Sequence, residues 1–153
     1  MHQSCEEAGN FLRDVFTRSG LSLEVTIEDQ PDRCLLNLDG RDADLLQAEG
    51  GELLEALQHL VNQIFGRGLP QGQRLVCDVH GFRATREAEL RAMAMHAAAQ
   101  VRSTGTAFTF GAMNANERRI IHVALAESPD LQTESIGEGS DRKLKVALKN
   151  RNS

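Results

Sequence analysis

The sequence of 153 residues contains no tryptophan and no tyrosine, so stacking on a flat ligand depends on phenylalanine, histidine and arginine. Long apolar runs are also absent, and nothing approaches the roughly 20 apolar residues that a membrane-spanning helix requires. The first ten residues include two acidic side chains and no apolar stretch, which argues against a signal peptide. These absences favour a cytoplasmic protein with no membrane span.

Cysteine is scarce, and its three copies are far apart, without the spacing of a metal site. Cys34 and Cys77 lie in apolar, strand-like runs, where a small buried thiol is expected, so we predict a reduced protein. Asp78, Glu117 and His122 supply acids and a possible base, but no nucleophile motif or phosphate loop accompanies them. The sequence therefore predicts no catalytic residue, no metal site and no cofactor, and we do not expect an enzyme.

Positive charge is scarce in the first half of the chain. Residues 1–80 hold 6 Lys and Arg against 14 Asp and Glu, a net charge of −8, whereas residues 81–153 hold 11 against 8, a net charge of +3. All three lysines lie near the end of the chain, at Lys143, Lys145 and Lys149. Because a nucleic-acid surface must neutralise phosphates, the second half is the better candidate for such a surface.

The apolar periodicity and the turn residues predict an α+β protein of two small units. In the first unit we expect the order αββααβ: a helix over 4–18, strands over 21–28 and 33–40, a helical turn over 42–48, a helix over 51–65 and a strand over 74–82. In the second we expect helices over 85–103 and 114–126 and a three-stranded sheet formed by 107–110, 131–136 and 142–148. Arg83 and Arg86 are interpreted as linker charges.

The segment NERRIIH within the second unit has the pattern of a ligand-binding helix. Asn114 followed by Glu117 has the form of a capping box, which predicts that the helix begins there. Arg118 and His122, four residues apart, would then lie side by side at the margin of the apolar face, while Arg119 would point to water. A guanidinium beside an imidazole suits a phosphate and a base. An ion pair for Arg118 and a core role for His122 are the structural alternatives.

NERRIIH, the downstream TESIGEGSDRKL and the upstream REAELRAMAMHAAAQVRSTG together resemble the R-3-H domain, named for its Arg-xxx-His signature. With the preceding LLQAEGGELLEALQHLVNQIFGR, the order of segments is similar to the bacterial Jag (SpoIIIJ-associated) proteins, in which a KH domain precedes an R-3-H domain. The resemblance covers roughly residues 8–149. It implies a type II KH-like domain over 1–82 and an R-3-H domain over 83–153.

The resemblance also implies which residues contact nucleic acid. In the R-3-H part we expect contacts from the signature helix, from the Gly-rich turn and from the basic strand after it, namely Arg118, Arg119, His122, Ser135, Gly137, Gly139, Arg142 and Lys143. For the glycines, the alternative is a purely structural turn. For Arg119, it is a solvated charge.

A KH domain holds nucleic acid with a GxxG loop. The matching loop in this chain is Ala48-Glu49-Gly50-Gly51, in which alanine replaces the first glycine and a glutamate lies between. Asp42, Asp44, Glu52 and Glu55 flank it. Alanine is tolerated there if its φ is negative, but the carboxylates repel phosphate. We therefore expect this loop to be degenerate and the KH-like unit to act as a scaffold or protein contact, with an RNA-binding KH domain as the alternative.

The sequence thus predicts a protein that binds single-stranded RNA or DNA, with RNA the favoured ligand, mainly through its R-3-H domain. The alternative is a protein-interaction module, in which the KH-like half forms a homodimer or pairs with a small KH-domain protein and RNA binding is secondary. The resemblance implies a link to cell-envelope growth or sporulation. Jag proteins commonly carry a further N-terminal domain with a basic linker, which these 153 residues do not include, so the envelope role is the weaker expectation.

Overall fold

In a computed structural model, which describes residues 2–149, the chain divides into two compact units, Met1–Arg83 and Ala84–Ser153. The first unit contains helices α1 (Gln3–Ser19), α2 (Ala43–Gln47) and α3 (Glu52–Phe65), with strands β1 (Glu24–Asp29), β2 (Arg33–Asp39) and β3 (Arg74–Asp78). The second contains α5 (Ala115–Ala126), β4 (Phe108–Thr109), β5 (Leu131–Ile136) and β6 (Lys143–Leu148). Helix α4 (Phe82–Thr104) begins in the last two residues of the first unit and supplies the long helix of the second.

The first unit is a mixed sheet covered by helices. The strand order is β1-β2-β3, with β1 antiparallel to β2 and β3 parallel to β2, so that Arg33 lies opposite Arg74. Helix α1 buries Ala8, Leu12 and Phe16, a spacing of about one turn, in a core that also holds Leu54 and Val61 of α3. The predicted order of helices and strands is observed.

In the first unit, two strand limits differ from the prediction by more than one residue, each for a local reason. Strand β1 starts three residues later than expected because Leu21 closes the end of α1 and the Ser22 amide donates to Asp42 Oδ2 at 2.6 Å. Strand β3 ends at Asp78 rather than at residue 82. His80 and Gly81 have φ of 49° and 70°, a left-handed turn that a strand cannot continue through.

The cysteines differ from the prediction in one respect. Cys5 of α1 and Cys34 of β2 form a disulfide, with a Cα–Cα separation of 6.0 Å, so the expectation of reduced cysteines is wrong for this pair in the structure. Their pairing across 29 residues depends on α1 packing over the sheet. Cys77 is a free, buried thiol as predicted, and burial raises its pKa to about 12, which keeps it protonated.

The second unit packs α4 and α5 with a three-stranded antiparallel sheet of order β4-β6-β5. Its core joins Leu90, Ala97 and Val101 of α4 to Ile121 of α5 and Val146 of β6. Met93 of α4 is 39% exposed and does not belong to this core. Among residues 2–149 no helix is both long enough and apolar enough to cross a membrane.

The outer edge of β3 is completed by side chains rather than by another strand. Asn62 of α3 accepts a hydrogen bond from the Leu75 amide at 3.0 Å and donates one to the Leu75 carbonyl at 2.7 Å. Gln58 accepts from the Cys77 amide at 3.0 Å, and Arg83 donates to the Cys77 carbonyl at 2.7 Å. Arg83 also pairs with Glu55, so it is a structural residue and not the linker charge that the sequence predicted.

We predict that Asn62→Ala lowers the free energy of unfolding by about 2 kcal/mol, because it leaves a buried amide and a buried carbonyl of Leu75 unsatisfied. Urea unfolding followed by circular dichroism measures this loss. Asn10→Ala is the control, since Asn10 lies exposed on α1, and we expect a change of less than about 0.5 kcal/mol. Equal losses in the two variants would contradict the proposed role of Asn62.

Candidate nucleic-acid interface

The start of α5 determines where its charged side chains lie. Asn114 is extended, with φ −72° and ψ 167°, and its side chain accepts a hydrogen bond from the Glu117 amide at 2.9 Å. This confirms the predicted N-cap. Ile121 and Leu125 are buried on the inner face of the helix. Arg118 is half-buried and His122 is exposed, one turn apart at the margin of that face, as the periodicity predicted.

Glu117 itself has an unexpected role. Its carboxylate is only 4% exposed and accepts hydrogen bonds from Arg86 of α4, with 2.7 Å between Arg86 Nε and Glu117 Oε2. Arg86 also contacts Glu89 at 3.1 Å. Burial alone would lower the pKa of Arg86, but the hydrogen bonds to both carboxylates outweigh that effect and raise the pKa above its ordinary value. Arg86 therefore joins α4 to α5, and its interpretation as a linker charge was wrong.

Arg118 is held over the first turn of α5. Its Nη1 donates to the carbonyl oxygen of Met113, and the amide of Met113 donates to the carbonyl oxygen of Arg142 at 3.4 Å. The chain of contacts places the guanidinium near the start of β6. Within residues 2–149, the hydrogen bond to Met113 uses one of the five N–H groups of the Arg118 guanidinium. The other N–H groups of Arg118 are available to a ligand.

His122 is oriented by the sheet. Its Nδ1 is hydrogen-bonded to the hydroxyl of Thr133, on β5. This contact ties the imidazole ring to β5, while His122 as a whole remains exposed. The ring is thus positioned for contact with a ligand and is not a core histidine.

A groove of about 370 Å³ lies between α5 and the sheet of the second unit. Five residues that the sequence singled out line this groove, namely Arg118, Arg119, His122, Ser135 and Arg142. Three further residues line it that the sequence analysis did not select: Ala115, Thr133 and Leu144. Its lining has three arginines and no carboxylate. Such a surface attracts anions and offers planar groups to bases.

The remaining predicted contacts lie outside this groove lining. Gly137 and Gly139, in the turn between β5 and β6, have φ of 85° and 59°, so the turn itself explains why glycine occurs there. A Cβ at Gly137 would also come within 3.2 Å of the Asp141 carbonyl oxygen. Lys143 is exposed at the start of β6. Contact of these three residues with phosphate stays a prediction.

Thr133 was missed in the sequence, although a signal for it was present. Thr133 and Ser135 are two residues apart on β5, so their side chains project from the same side of the sheet. The two-residue period of TES predicts that both hydroxyls share one side of the sheet, but it does not predict that α5 packs on that side. The groove therefore has two hydroxyl groups beside its arginines.

The loop at residues 48–51 has an unusual backbone in the first unit. Ala48 has φ −62° and ψ 150°, a conformation open to alanine, so its replacement of glycine is sterically tolerated. Glu49, Gly50 and Gly51 follow with φ of 55°, 67° and 84°. A Cβ at Gly51 would approach the ring of Phe82 to 2.8 Å, so glycine is required there both by φ and by space.

Comparison with known proteins places these features in a family. The R-3-H domain model matches residues 88–148. The RNA-binding protein KhpB of Clostridium symbiosum is 30% identical over 149 residues, which is 96% of this chain and 67% of that protein. The chain belongs to the KhpB (Jag) family. KhpB of Bacillus subtilis is 27% identical over 146 residues, covering 94% of this chain and 70% of that protein, and KhpB of Lactiplantibacillus plantarum is 27% identical over 140 residues, covering 92% and 44%.

In this KhpB family member the groove lies wholly within the matched R-3-H segment, since its lining runs from Ala115 to Leu144. Among residues 2–149 no cluster of three or more His, Cys, Asp or Glu side chains could hold a metal ion. The polar groups that this groove offers to a ligand are guanidinium, imidazole and hydroxyl groups.

We expect Arg86→Ala to lower the free energy of unfolding by about 2–3 kcal/mol, because Glu117 would remain buried without its cation. Thermal and urea unfolding of the full chain measure the effect. Arg91→Ala is a matched control on the same helix: it also breaks an ion pair, with Glu87, but both partners are largely exposed. That variant should lose less than about 0.5 kcal/mol. The role of Arg86 would be contradicted if both variants were equally stable.

Proposed function

We propose that the chain binds single-stranded RNA through the R-3-H groove of its second unit and acts by binding rather than by catalysis. The observation that carries the proposal is the convergence of Arg118, Arg119, Arg142 and His122 on one groove without a carboxylate in its lining. The R-3-H domain and the RNA-binding KhpB relatives support RNA as the nucleic acid. Single-stranded DNA offers the same phosphates and bases and is the alternative ligand.

The groove residues suit different parts of a nucleotide. Arg118 and Arg142 would donate paired hydrogen bonds to phosphate oxygens, contacts that are stronger than those between neutral groups. His122, oriented by Thr133, would contact a base through Nε2 or the ring face, and the hydroxyl of Ser135 would bond to phosphate or sugar. A single strand is favoured because its unpaired bases are free to stack on arginine and histidine planes.

The first unit is proposed to be a type II KH-like domain whose loop does not bind phosphate. The observed order αββααβ and the short turn before α3 support this assignment. Glu49 lies in the loop between Ala48 and Gly50, and Glu52 follows in the first turn of α3, whereas Glu55 in the same turn is paired with Arg83. Carboxylates there oppose phosphate binding, so the unit would act as a scaffold or as a protein-binding domain.

Pairing with a second protein is the second candidate function, and an exposed apolar stripe on α3 favours it. Leu53, Leu60 and Ile64 are 40%, 41% and 50% exposed and lie along one face of the helix. Leu45 of α2 is 50% exposed. These residues would pack against a second copy of the chain or against a small KH-domain protein. In this proposal RNA binding by the second unit is secondary.

For the cellular setting we propose the cytoplasm, where RNA is available, with a regulatory link to cell-envelope growth or sporulation. The basis for this link is the family resemblance. The Cys5–Cys34 disulfide of the structure would be reduced to two buried thiols in that compartment.

We predict that Arg118→Ala weakens binding of single-stranded RNA by about 1–3 kcal/mol, since it removes a charge-assisted phosphate contact. The slope of log affinity against log salt should fall by about 0.7, the contribution of one phosphate. Fluorescence anisotropy with a labelled oligonucleotide at several salt concentrations measures both quantities. Arg18→Ala, which removes one exposed cation from α1, is the matched control and should change neither.

The RNA-binding proposal would be refuted if Arg118→Ala, with its thermal transition intact, bound RNA with the affinity and salt slope of the unaltered chain. A parallel titration with DNA of the same sequence distinguishes the two nucleic acids. Tighter binding of RNA would identify the ribose hydroxyl as part of the recognised surface.

For the pairing candidate, we expect sedimentation of the full chain at high micromolar concentration to reveal a dimer that Ile64→Glu converts to monomer. A charge in the centre of an apolar contact costs desolvation that the monomer does not incur. Leu148→Glu, at a 40% exposed apolar position of β6, is the control and should leave the dimer intact. A chain that is monomeric throughout, and that captures no small KH-domain protein, would exclude this candidate.

A further inference from the structure

A second groove lies on the other side of Arg119, between α4 and α5 of the second unit. Its volume is about 450 Å³. Helix α4 contributes Glu87, Arg91 and Met95, which are spaced by one helical turn, and α5 contributes Arg119, Ile120, Val123, Ala124 and Glu127. No residue of this groove other than Arg119 lines the basic groove described above.

The floor of this α4–α5 groove is apolar and open. Val123 is 60% exposed and Met95 is 52% exposed, whereas Ile120 and Ala124 pack partly against the core. A methionine thioether and a branched aliphatic side chain are suitable contacts for the face of an aromatic ring.

The rim of the α4–α5 groove has one carboxylate that is not neutralised. Glu87 pairs with Arg91 at 2.7 Å. Within the described range of 2–149, no side chain forms an ion pair or hydrogen bond with the Glu127 carboxylate at the opposite end. A free carboxylate repels phosphate but accepts hydrogen bonds from amino groups.

We propose that this groove receives one base of the RNA strand whose backbone lies in the basic groove, and that Glu127 selects the base. The proposal rests on the proposed function of the R-3-H groove. Arg119 lines both grooves, so a strand leaving Arg118 and His122 can cross α5 at Arg119, where its guanidinium contacts the phosphate between the two sites. The base then lies on Val123 and Met95 with its polar edge toward Glu127.

Base selection follows from the chemistry of that edge. Adenine, cytosine and guanine each carry an exocyclic amino group that donates hydrogen bonds to a carboxylate, whereas the one N–H on the polar edge of uracil, at N3, lies between two carbonyl oxygens. A carboxylate facing a uracil carbonyl is repulsive. The site therefore disfavours uridine and accepts bases that carry an amino group.

A protein segment fits the α4–α5 groove less well. A specific protein interface buries about 800 Å² on each partner, with aromatic or aliphatic anchors in its centre. The exposed apolar contribution from this floor comes from two side chains, Met95 and Val123, and charges of both signs border it. These dimensions favour a single flat group over an amphipathic helix.

The test compares the affinities of the full chain for oligo(A), oligo(C) and oligo(U) RNA of equal length, by fluorescence anisotropy. We expect the unaltered chain to bind oligo(U) about tenfold more weakly than oligo(A). Glu127→Gln should remove most of that difference, because an amide both donates and accepts hydrogen bonds. Glu24→Gln, the same change of charge on β1 of the first unit, controls for the general effect of a lost carboxylate and should keep the preference.

Val123→Asp provides the second measurement, since it places a carboxylate in the floor at an exposed position of α5. We expect about tenfold weaker binding of oligo(A) with an unchanged thermal transition. Glu127→Gln, a nearly isosteric change, keeps the proposal testable if Val123→Asp fails to fold.

Two results would overturn the proposal if Arg118→Ala still weakens RNA binding. One is an unchanged base preference in Glu127→Gln, and the other is an unchanged RNA affinity in folded Val123→Asp. Loss of self-association in Val123→Asp at full RNA affinity would identify a protein contact instead. If Arg118→Ala had no effect on RNA affinity, the proposed RNA-binding function would itself fail. The Arg118→Ala result therefore distinguishes failure of the RNA-binding proposal from failure of the base-selection proposal.

Discussion

The buried ion pair between Arg86 and Glu117 is the interaction on which the geometry of the second unit depends. Glu117 has two roles: its amide is bonded to the N-cap Asn114, and its carboxylate is held by Arg86 of α4. The first role sets the residue at which α5 begins, and the second fixes the helix against α4. Since Arg118 is the next residue and His122 lies one turn further, the position of both side chains follows from this pair. The chemistry of the groove is thus supported by residues that do not line it.

Local signals were sufficient to predict most helices and strands. The Asn114–Glu117 spacing predicted the start of α5, and the apolar periodicity predicted α1 and α3 to within a residue or two. Interactions between distant segments were not predictable in this way. Arg86 and Glu117 are 31 residues apart, and Cys5 and Cys34 are 29 apart, so only the packed structure brings each pair together. Thr133 belongs to the same class, since its contact with His122 joins β5 to α5.

The two units distribute charge in opposite ways, and the structure adds where the charges lie. Carboxylates concentrate at the loop and first turn of α3 in the first unit, at Glu49, Glu52 and Glu55. In the second unit, three arginines meet at one groove. The net charge of −5 therefore averages over two surfaces with different expected partners. The apolar periodicity predicted a helix at α3, but the sequence alone could not assign Leu53, Leu60 and Ile64 to solvent. Their exposure depends on how much of the helix the small sheet covers.

The side chains along the edge of β3 have a consequence for how the first unit meets other chains. An open strand edge is a template onto which another strand can add, the first step toward amyloid-like stacking. Here the amides of Asn62 and Gln58 and the guanidinium of Arg83 occupy the backbone groups of Leu75 and Cys77 that such a strand would need. These contacts hinder the addition of another strand at β3. The same three side chains act as gatekeepers that protect the folded sheet from ordered aggregation.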